Sequence, residues 1–344
     1  MVNISLFKNF VPLGALLPTD RAELAKYSRV GTYQPGQILF SRGESAQTVP
    51  FLISGEIELF DGAQARVVRG DTPEARNALA AGLRRAVTAT CLRTAQVLIV
   101  DREHLDLILT WSQTGGLVVT DHGSSGREDE PQDWMTALLQ NHAFHRIPPG
   151  NIAQLFACMQ SARFAAGDVV IQQGERGDCY FILTEGRVQV VQQDADGMNE
   201  QEVSILGVGR GFGEEALLSG NPRNATVRAL TDIAVMKIDA QDFERLLKAP
   251  VLSQMTLDEV GSDHQLIDVR LREEFARGHV PGAINLPLAH LRELAVQLDV
   301  RRPCAVYCDS GRRSASATYL LCERGFDALL VAGGVPAELM TESD

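Results

Sequence analysis

Apolar and polar residues alternate along this chain in short runs broken by glycine, and the pattern occurs twice before its character changes. GQILFSRGE (36–44) is matched by GDVVIQQGE (167–175), LISGEIEL (52–59) by LTEGRVQV (183–190), and RTAQVLIVDREHLDLIL (93–109) by TDIAVMKIDAQDFERLL (231–247). The offset is 131 residues at first and 138 later, so the second copy carries a longer middle loop. A period of two predicts short half-buried strands, and each copy closes with a helical pattern starting near an aspartate: Asp101 in one, Asp239 or Asp242 in the other. Each copy therefore reads as a small β-barrel or jelly roll followed by a helix.

Beyond about residue 252 the pattern becomes one of continuous apolar runs, HQLIDVR and CAVYC, alternating with helical stretches, LREEFARG and SASATYLLCERG, the second ending at Gly325. That alternation predicts a small α/β domain with a parallel sheet. Between the copies, DHGSSGREDEPQD (121–133) sets five acids against one arginine, a composition that cannot bury a core. The expected organisation is residues 1–118, an acidic linker over 119–133, a second barrel over 134–251 and an α/β domain over 252–344.

Composition narrows the classes. With 344 residues, 45% of them hydrophobic, the chain can fill three cores. No apolar run reaches the roughly 18 residues a membrane helix needs, and MVNISLFKNFVPLGALLP lacks the basic start and cleavage site of a signal peptide, so the chain reads as cytoplasmic, with no membrane partner. Six cysteines form no CxxC pair and no zinc spacing; they read as reduced thiols, with no metal site. A net charge of -12 argues against a nucleic-acid partner, whose phosphates need clustered Lys and Arg. A small anionic ligand needs only one local arginine.

Such an arginine lies in GFGEEALLSGNPRNATVR (211–228). Arg223 offers a forked, charge-assisted contact to a phosphate, and a short helix beginning near Gly213 would aim backbone N–H groups at it. The elements Phe212-Gly213-Glu214, Ala216-Leu217-Leu218 and Pro222 to Val227 resemble the phosphate-binding cassette of the cyclic-nucleotide-binding domain family, over roughly residues 134–250. The resemblance implies Glu214 on the ribose 2'-hydroxyl, the amides of Ala216 and Ala225 on phosphate oxygens, Arg223 on the phosphate and Gly213 at the close approach. Asn224 stands where the family often has Ala or Ser in cAMP binders and Thr in cGMP binders. The preferred ligand is cAMP, because bacterial relatives commonly bind it, with cGMP as the alternative. The competing reading is a surface ion pair between Arg223 and Glu214 beside ordinary turn glycines. In the first copy, the later offset sets Arg85 opposite Arg223, Arg76 opposite Glu214 and Glu74-Ala75 opposite Phe212-Gly213, which predicts a degenerate structural or dimerising domain; a pocket for another anion competes.

LIDVRLREEFARGHVPGAINLPL (266–288), YCDSGRRS (307–314) and GFDALLVAGGV (325–335) resemble a single rhodanese domain, without the tryptophan that often follows the paired glycines. A cysteine at the end of a buried strand, before a glycine-containing loop and a helix, is placed to be a nucleophile. Helix N–H groups and nearby arginines favour its thiolate. The resemblance implies a persulfide on Cys308, the tight turn at Gly311, and Arg312 and Arg313 attracting an anionic sulfur donor such as thiosulfate. Asp268, Arg270 and His279 read as structural. The loop is one residue shorter than in phosphatases and arsenate reductases of similar fold. Cys304 reads as buried, with a resolving thiol as its alternative. His142 and His145 lack a third ligand and read as surface residues; Trp111 and Trp134 read as caps on the barrel edges.

The predicted fold is thus multidomain: two β-barrel or jelly-roll cyclic-nucleotide-binding domains with flanking helices, then an α/β rhodanese domain around a central parallel sheet. Two functions compete. One is a sulfurtransferase using a Cys308 persulfide, with a thiol or protein as sulfur acceptor, answering to bound nucleotide. The other is a non-enzymatic cAMP-responsive scaffold whose rhodanese fold binds a partner. A homodimer fits either. No helix-turn-helix follows the second barrel, which sets a transcription factor last.

Overall fold

The computed structural model describes residues 2–114, 133–193 and 200–334. The expected linker lies outside them apart from Asp133.

The first barrel is an antiparallel sheet in the order Ser28–Tyr33, Thr88–Asp101, Thr48–Phe60, Ala65–Arg69, with Ile38–Phe40 also on Thr88–Asp101. The second divides into two four-stranded sheets. One runs Glu200–Leu206, Val188–Gln193, Thr226–Ala229, Val169–Ile171, and the other Gly211–Phe212, Cys179–Glu185, Ile233–Asp239, Gln160–Phe164. Alternating residues face inward, and Phe181, Leu183, Val190, Phe212 and Val235 fill the second barrel.

The aspartates that mark the helix starts act as caps. Asp101 Oδ1 accepts from the His104 amide at 3.1 Å, and Asp239 Oδ1 from that of Asp242 at 2.8 Å, so Asp239, not Asp242, is the cap. These caps begin Arg102–Thr114 in the first copy and a continuous helical run from Ala240 to Val251 in the second, with a π-helical turn over Glu244–Lys248.

The third domain is a five-stranded parallel sheet in the order Gln254–Met255, Ala328–Val331, Cys304–Tyr307, Gln265–Asp268, Ile284–Asn285. Its central strands are buried on both faces, hence their unbroken apolar runs. Only Leu252 and Ser253 separate the end of the second barrel's helix from the edge strand. The two domains also share one continuous core: Leu138, Phe144, Tyr180, Phe243 and Val251 pack in the same cluster as Ile267, Val306, Ala317, Tyr319 and Leu321. Burying that surface jointly favours one packed unit over two modules on a tether.

Candidate functional site

In the second barrel the strand Gly211–Phe212 turns at Gly213 into a short helix, Glu214–Ser219. Gly213 has φ 89°, and a Cβ there would lie 2.7 Å from the Arg223 guanidinium, so both backbone shape and space require glycine. Arg223 is 4% exposed. Its Nη1 donates to the Gly213 carbonyl at 2.6 Å, and Nη2 donates to the Cys179 carbonyl at 2.7 Å and to Asp178 Oδ1 at 3.2 Å. Arg223 is therefore held by two carbonyls and Asp178, and the surface pair with Glu214 does not form.

One cavity of about 80 Å³ is lined by Gly213, Glu214, Ala216, Arg223, Asn224 and Ala225 together with apolar barrel residues such as Ile171, Val190 and Leu206. All six residues expected to touch a cyclic nucleotide thus meet at one place. Glu214 Oε2 is enclosed and has no hydrogen-bond partner. Burial, then the negative charge of Glu323, pushes the Glu214 carboxyl up to about 7, while Arg292 opposes the shift.

The first barrel corrects part of the sequence alignment. The Gly43 amide donates to the Arg85 carbonyl and the Arg85 amide to the Glu44 carbonyl; Gly174, Arg223 and Glu175 repeat both bonds, so Arg85 is the counterpart of Arg223. Phe51 bridges Ala78 where Ile182 pairs with Gly211. Leu79 and Ala80 therefore replace Phe212 and Gly213, and Ala81 follows where Glu214 stands; the counterparts are not Glu74-Ala75 and Arg76. Between Ala80 and Arg85 lie four residues, against nine between Gly213 and Arg223, and the cassette helix has no counterpart there. Arg85 donates to the carbonyls of Ala80 and Thr48 at 2.9 and 2.6 Å, the counterparts of the Gly213 and Cys179 carbonyls that hold Arg223, and it also lies over the Phe40 ring. Burial, then the neighbouring Arg102, draws its pKa down to about 10.

Cys308 follows the central strand Cys304–Tyr307 and precedes the helix Arg312–Glu323. The turn is made at Gly311, with φ 92°, whose amide donates to Cys308 Sγ at 3.1 Å; Ser314 Oγ lies 3.4 Å from the sulfur. Cys308 is 0% exposed.

Neither loop arginine is held free for an anionic donor. Arg313 is buried in a bidentate pair with Glu274 at 2.7 and 3.0 Å and reaches Asp309 at 3.4 Å. Arg312 Nη1 donates to the Ser219 carbonyl at the end of the cassette helix, 3.0 Å away, and Arg312 Nη2 lies 3.5 Å from Glu103 of the first barrel. Asp268 and Arg270 form the expected strand-end pair at 2.6–3.0 Å. His279 contacts the Phe275 carbonyl at 3.0 Å.

The loop is also roofed by the first barrel's helix. Burial alone would raise the Asp309 carboxyl, but Arg270, Arg313, Arg102 and Arg277 around it hold it below the usual range. Asp106 lies beside Ser310 and is pushed by burial up to about 6. Arg277 Nη2 donates to the Ala78 carbonyl at 2.8 Å. The Cys308 loop is consequently clasped between the two barrels, a feature with no local sequence signal because Ser219 and Glu103 are remote from it in the chain.

Cys304 is fully buried, and burial, followed by the charge of Asp327, pushes its thiol up to about 12, which fits a small core residue. His142 and His145 are exposed, with rings edge to face at 5.3 Å. Among the described residues no group of three or more His, Cys, Asp or Glu is arranged to hold a metal ion, and no helix is long and apolar enough to cross a membrane. Trp134 packs 6.0 Å from Phe156 beside the second barrel's helices.

Comparison with known proteins agrees with this architecture. Residues 30–110 and 161–249 match the cyclic nucleotide-binding domain and residues 252–337 the rhodanese-like domain. The chain carries two cyclic nucleotide-binding domains followed by a rhodanese-like domain. Curated relatives include the cGMP-dependent protein kinase 2 of Rattus norvegicus and that of Homo sapiens, each 25% identical over 224 residues, or 62% of this chain and 26% of the relative. The chain thus spans about a quarter of their length. Similar solved structures include the regulatory domain of Toxoplasma gondii PKA crystallised with cAMP (20% identity, TM-score 0.31, covering 71% of this chain and 90% of that one). Another is the N-terminal domain of a transcriptional regulator from Streptomyces coelicolor A3(2) (30% identity, TM-score 0.29, covering 32% and 79%).

Proposed function

We propose that the second barrel binds a cyclic nucleotide, cAMP in the first place and cGMP as the alternative, and that Cys308 of the rhodanese-like domain carries sulfur under control of that ligand. The meeting of Gly213, Glu214, Ala216, Arg223, Asn224 and Ala225 around one cavity carries the ligand reading. An arginine fixed by carbonyls keeps its positive charge directed at the cassette, and an enclosed carboxylate oxygen without a partner suits a ribose hydroxyl donor. The curated relatives are named for cGMP dependence, which keeps cGMP as the alternative.

In the sulfur step, the Cys308 thiolate attacks the sulfane sulfur of thiosulfate. A new S–S bond forms as the thiosulfate S–S bond breaks, and sulfite leaves with the electron pair. The thiolate of an acceptor, small or protein-borne, then attacks the outer sulfur, and Cys308 leaves as thiolate. The Gly311 amide, 3.1 Å from Sγ, is placed to stabilise that charge. The sealed sulfur marks this arrangement as closed, so turnover needs the clasp to loosen. A ligand can shift that equilibrium only through unequal affinity for the two arrangements.

The sealing also favours a second reading, a scaffold in which the rhodanese fold only docks a partner. Thiosulfate-dependent persulfide formation on wild type and Cys308→Ala separates the two. The enzyme reading expects a persulfide on wild type alone; no difference between the proteins leaves the scaffold.

A further inference from the structure

The cavity that gathers the cassette residues is completed by the other domain. Ser316, Tyr319 and Leu320 from the helix Arg312–Glu323, and Arg292 from the short helix Leu291–Leu294, line it as well. Ser316 is 2% exposed and Tyr319 1%. Arg292 Nε and Ser316 Oγ are enclosed without a hydrogen-bond partner, as is Glu214 Oε2. Buried polar atoms are nearly always paired, so three unpaired ones from two domains around one cavity call for a shared polar occupant. Their chemistry is mixed: a carboxylate accepts, a guanidinium N–H donates and a hydroxyl does either. The barrel contributes the ribose and phosphate contacts, whereas the donor and the aromatic ring come from the rhodanese-like domain, and that division suits a purine.

We propose that the cyclic nucleotide is held by both domains at once, with Arg292 and Ser316 binding the purine edge and Tyr319 packing against the base. The inference rests on the reading that this cavity is the nucleotide site. It makes base preference a property of the rhodanese-like domain, which explains why Asn224 in the cassette leaves the base undecided. It also supplies the route to the sulfur: Ser316 lies one helical turn, and Tyr319 about two, beyond the helix start at Gly311 that holds Cys308.

Calorimetry of cAMP and cGMP against the full chain tests the proposal, using wild type, Arg223→Ala, Arg292→Ala and Ser316→Ala. The expected result is about tenfold weaker binding for Arg292→Ala, a smaller loss for Ser316→Ala, and a cAMP-to-cGMP affinity ratio that moves in both variants. Arg223→Ala should instead weaken both ligands alike. If wild type binds, Arg223→Ala does not, and both other variants keep the wild-type affinities and ratio, the two-domain site is overturned while the nucleotide reading stands. Should wild type bind neither ligand, both fall. Ser316→Ala removes a single oxygen, so it carries the same readout if Arg292→Ala fails to fold.

Discussion

The guanidinium of Arg312 donates to the carbonyl oxygen of Ser219 at 3.0 Å, joining the first residue of the helix that begins at the Cys308 loop to the last residue of the cassette helix. The bond crosses from one domain to another at the two places where ligand chemistry and sulfur chemistry are expected. Arg312→Ala removes it along with the nearby Glu103 contact, at a cost of about 1 kcal/mol in stability. Faster alkylation of Cys308 in that variant, followed by mass spectrometry of the Cys308 peptide, is the expected outcome. An unchanged rate would mean that Arg312 does not help to close the loop.

Arg313 supports a different prediction. It is 3% exposed and its partner Glu274 is buried beside it. Arg313→Ala strands the Glu274 carboxylate in the interior, which costs about 3–5 kcal/mol and should appear as a large drop in thermal transition temperature. A side chain serving only to attract a sulfur donor would leave the transition nearly in place.

Glu214 should make ligand binding depend on pH. Its carboxyl is pushed up to about 7 in the folded chain by burial first and by Glu323 and Glu215 next, with Arg292 pulling the other way; its charge in turn raises the nearby Tyr180 and Tyr319 hydroxyls. The folded pKa is raised above the unfolded value of 4.5, so the stability associated with this group is present below pH 4.5 and lost as pH rises to about 7. A ribose hydroxyl donating to the carboxylate selects the ionised form and reverses that trend for binding. Cyclic-nucleotide affinity should therefore fall about tenfold between pH 8 and pH 6 in calorimetry, and Glu214→Gln should flatten the profile.

One nucleotide should bind per chain. In the first barrel the glutamate position is Ala81, and the cassette helix has no counterpart between Ala80 and Arg85. Calorimetric stoichiometry near one, unchanged by Arg85→Ala and abolished by Arg223→Ala, is the expected result; a second site lost with Arg85 would restore the first barrel as a receptor.

Periodicity and repetition disclosed the domains because both are local. Two barrels, helix starts near Asp101 and near Asp239 or Asp242, and the parallel sheet could be read from alternating and continuous apolar runs, while the structure makes Asp239 the cap. The cassette residues were legible because they are contiguous, and they meet at one cavity. The first copy's cassette cannot be aligned from sequence, because the missing helix between Ala80 and Arg85 leaves no residue identity to anchor the gap; strand register, through Phe51 and Ala78, supplies the anchor. The engagement of Arg312 and Arg313 is not legible in the sequence, because a charge in a loop does not show its partners, here Ser219 and Glu274. The contributions of Arg292, Ser316 and Tyr319 to the cavity arise only when two domains pack, so no local pattern in the sequence marks them.

The most direct test of a nucleotide-controlled sulfur carrier is the rate of sulfur transfer from thiosulfate as a function of cAMP or cGMP concentration. The account predicts that the wild-type rate changes along a saturation curve whose midpoint equals the calorimetric dissociation constant, and that Arg223→Ala gives a flat line. A wild-type rate that stays constant up to saturating ligand would contradict it.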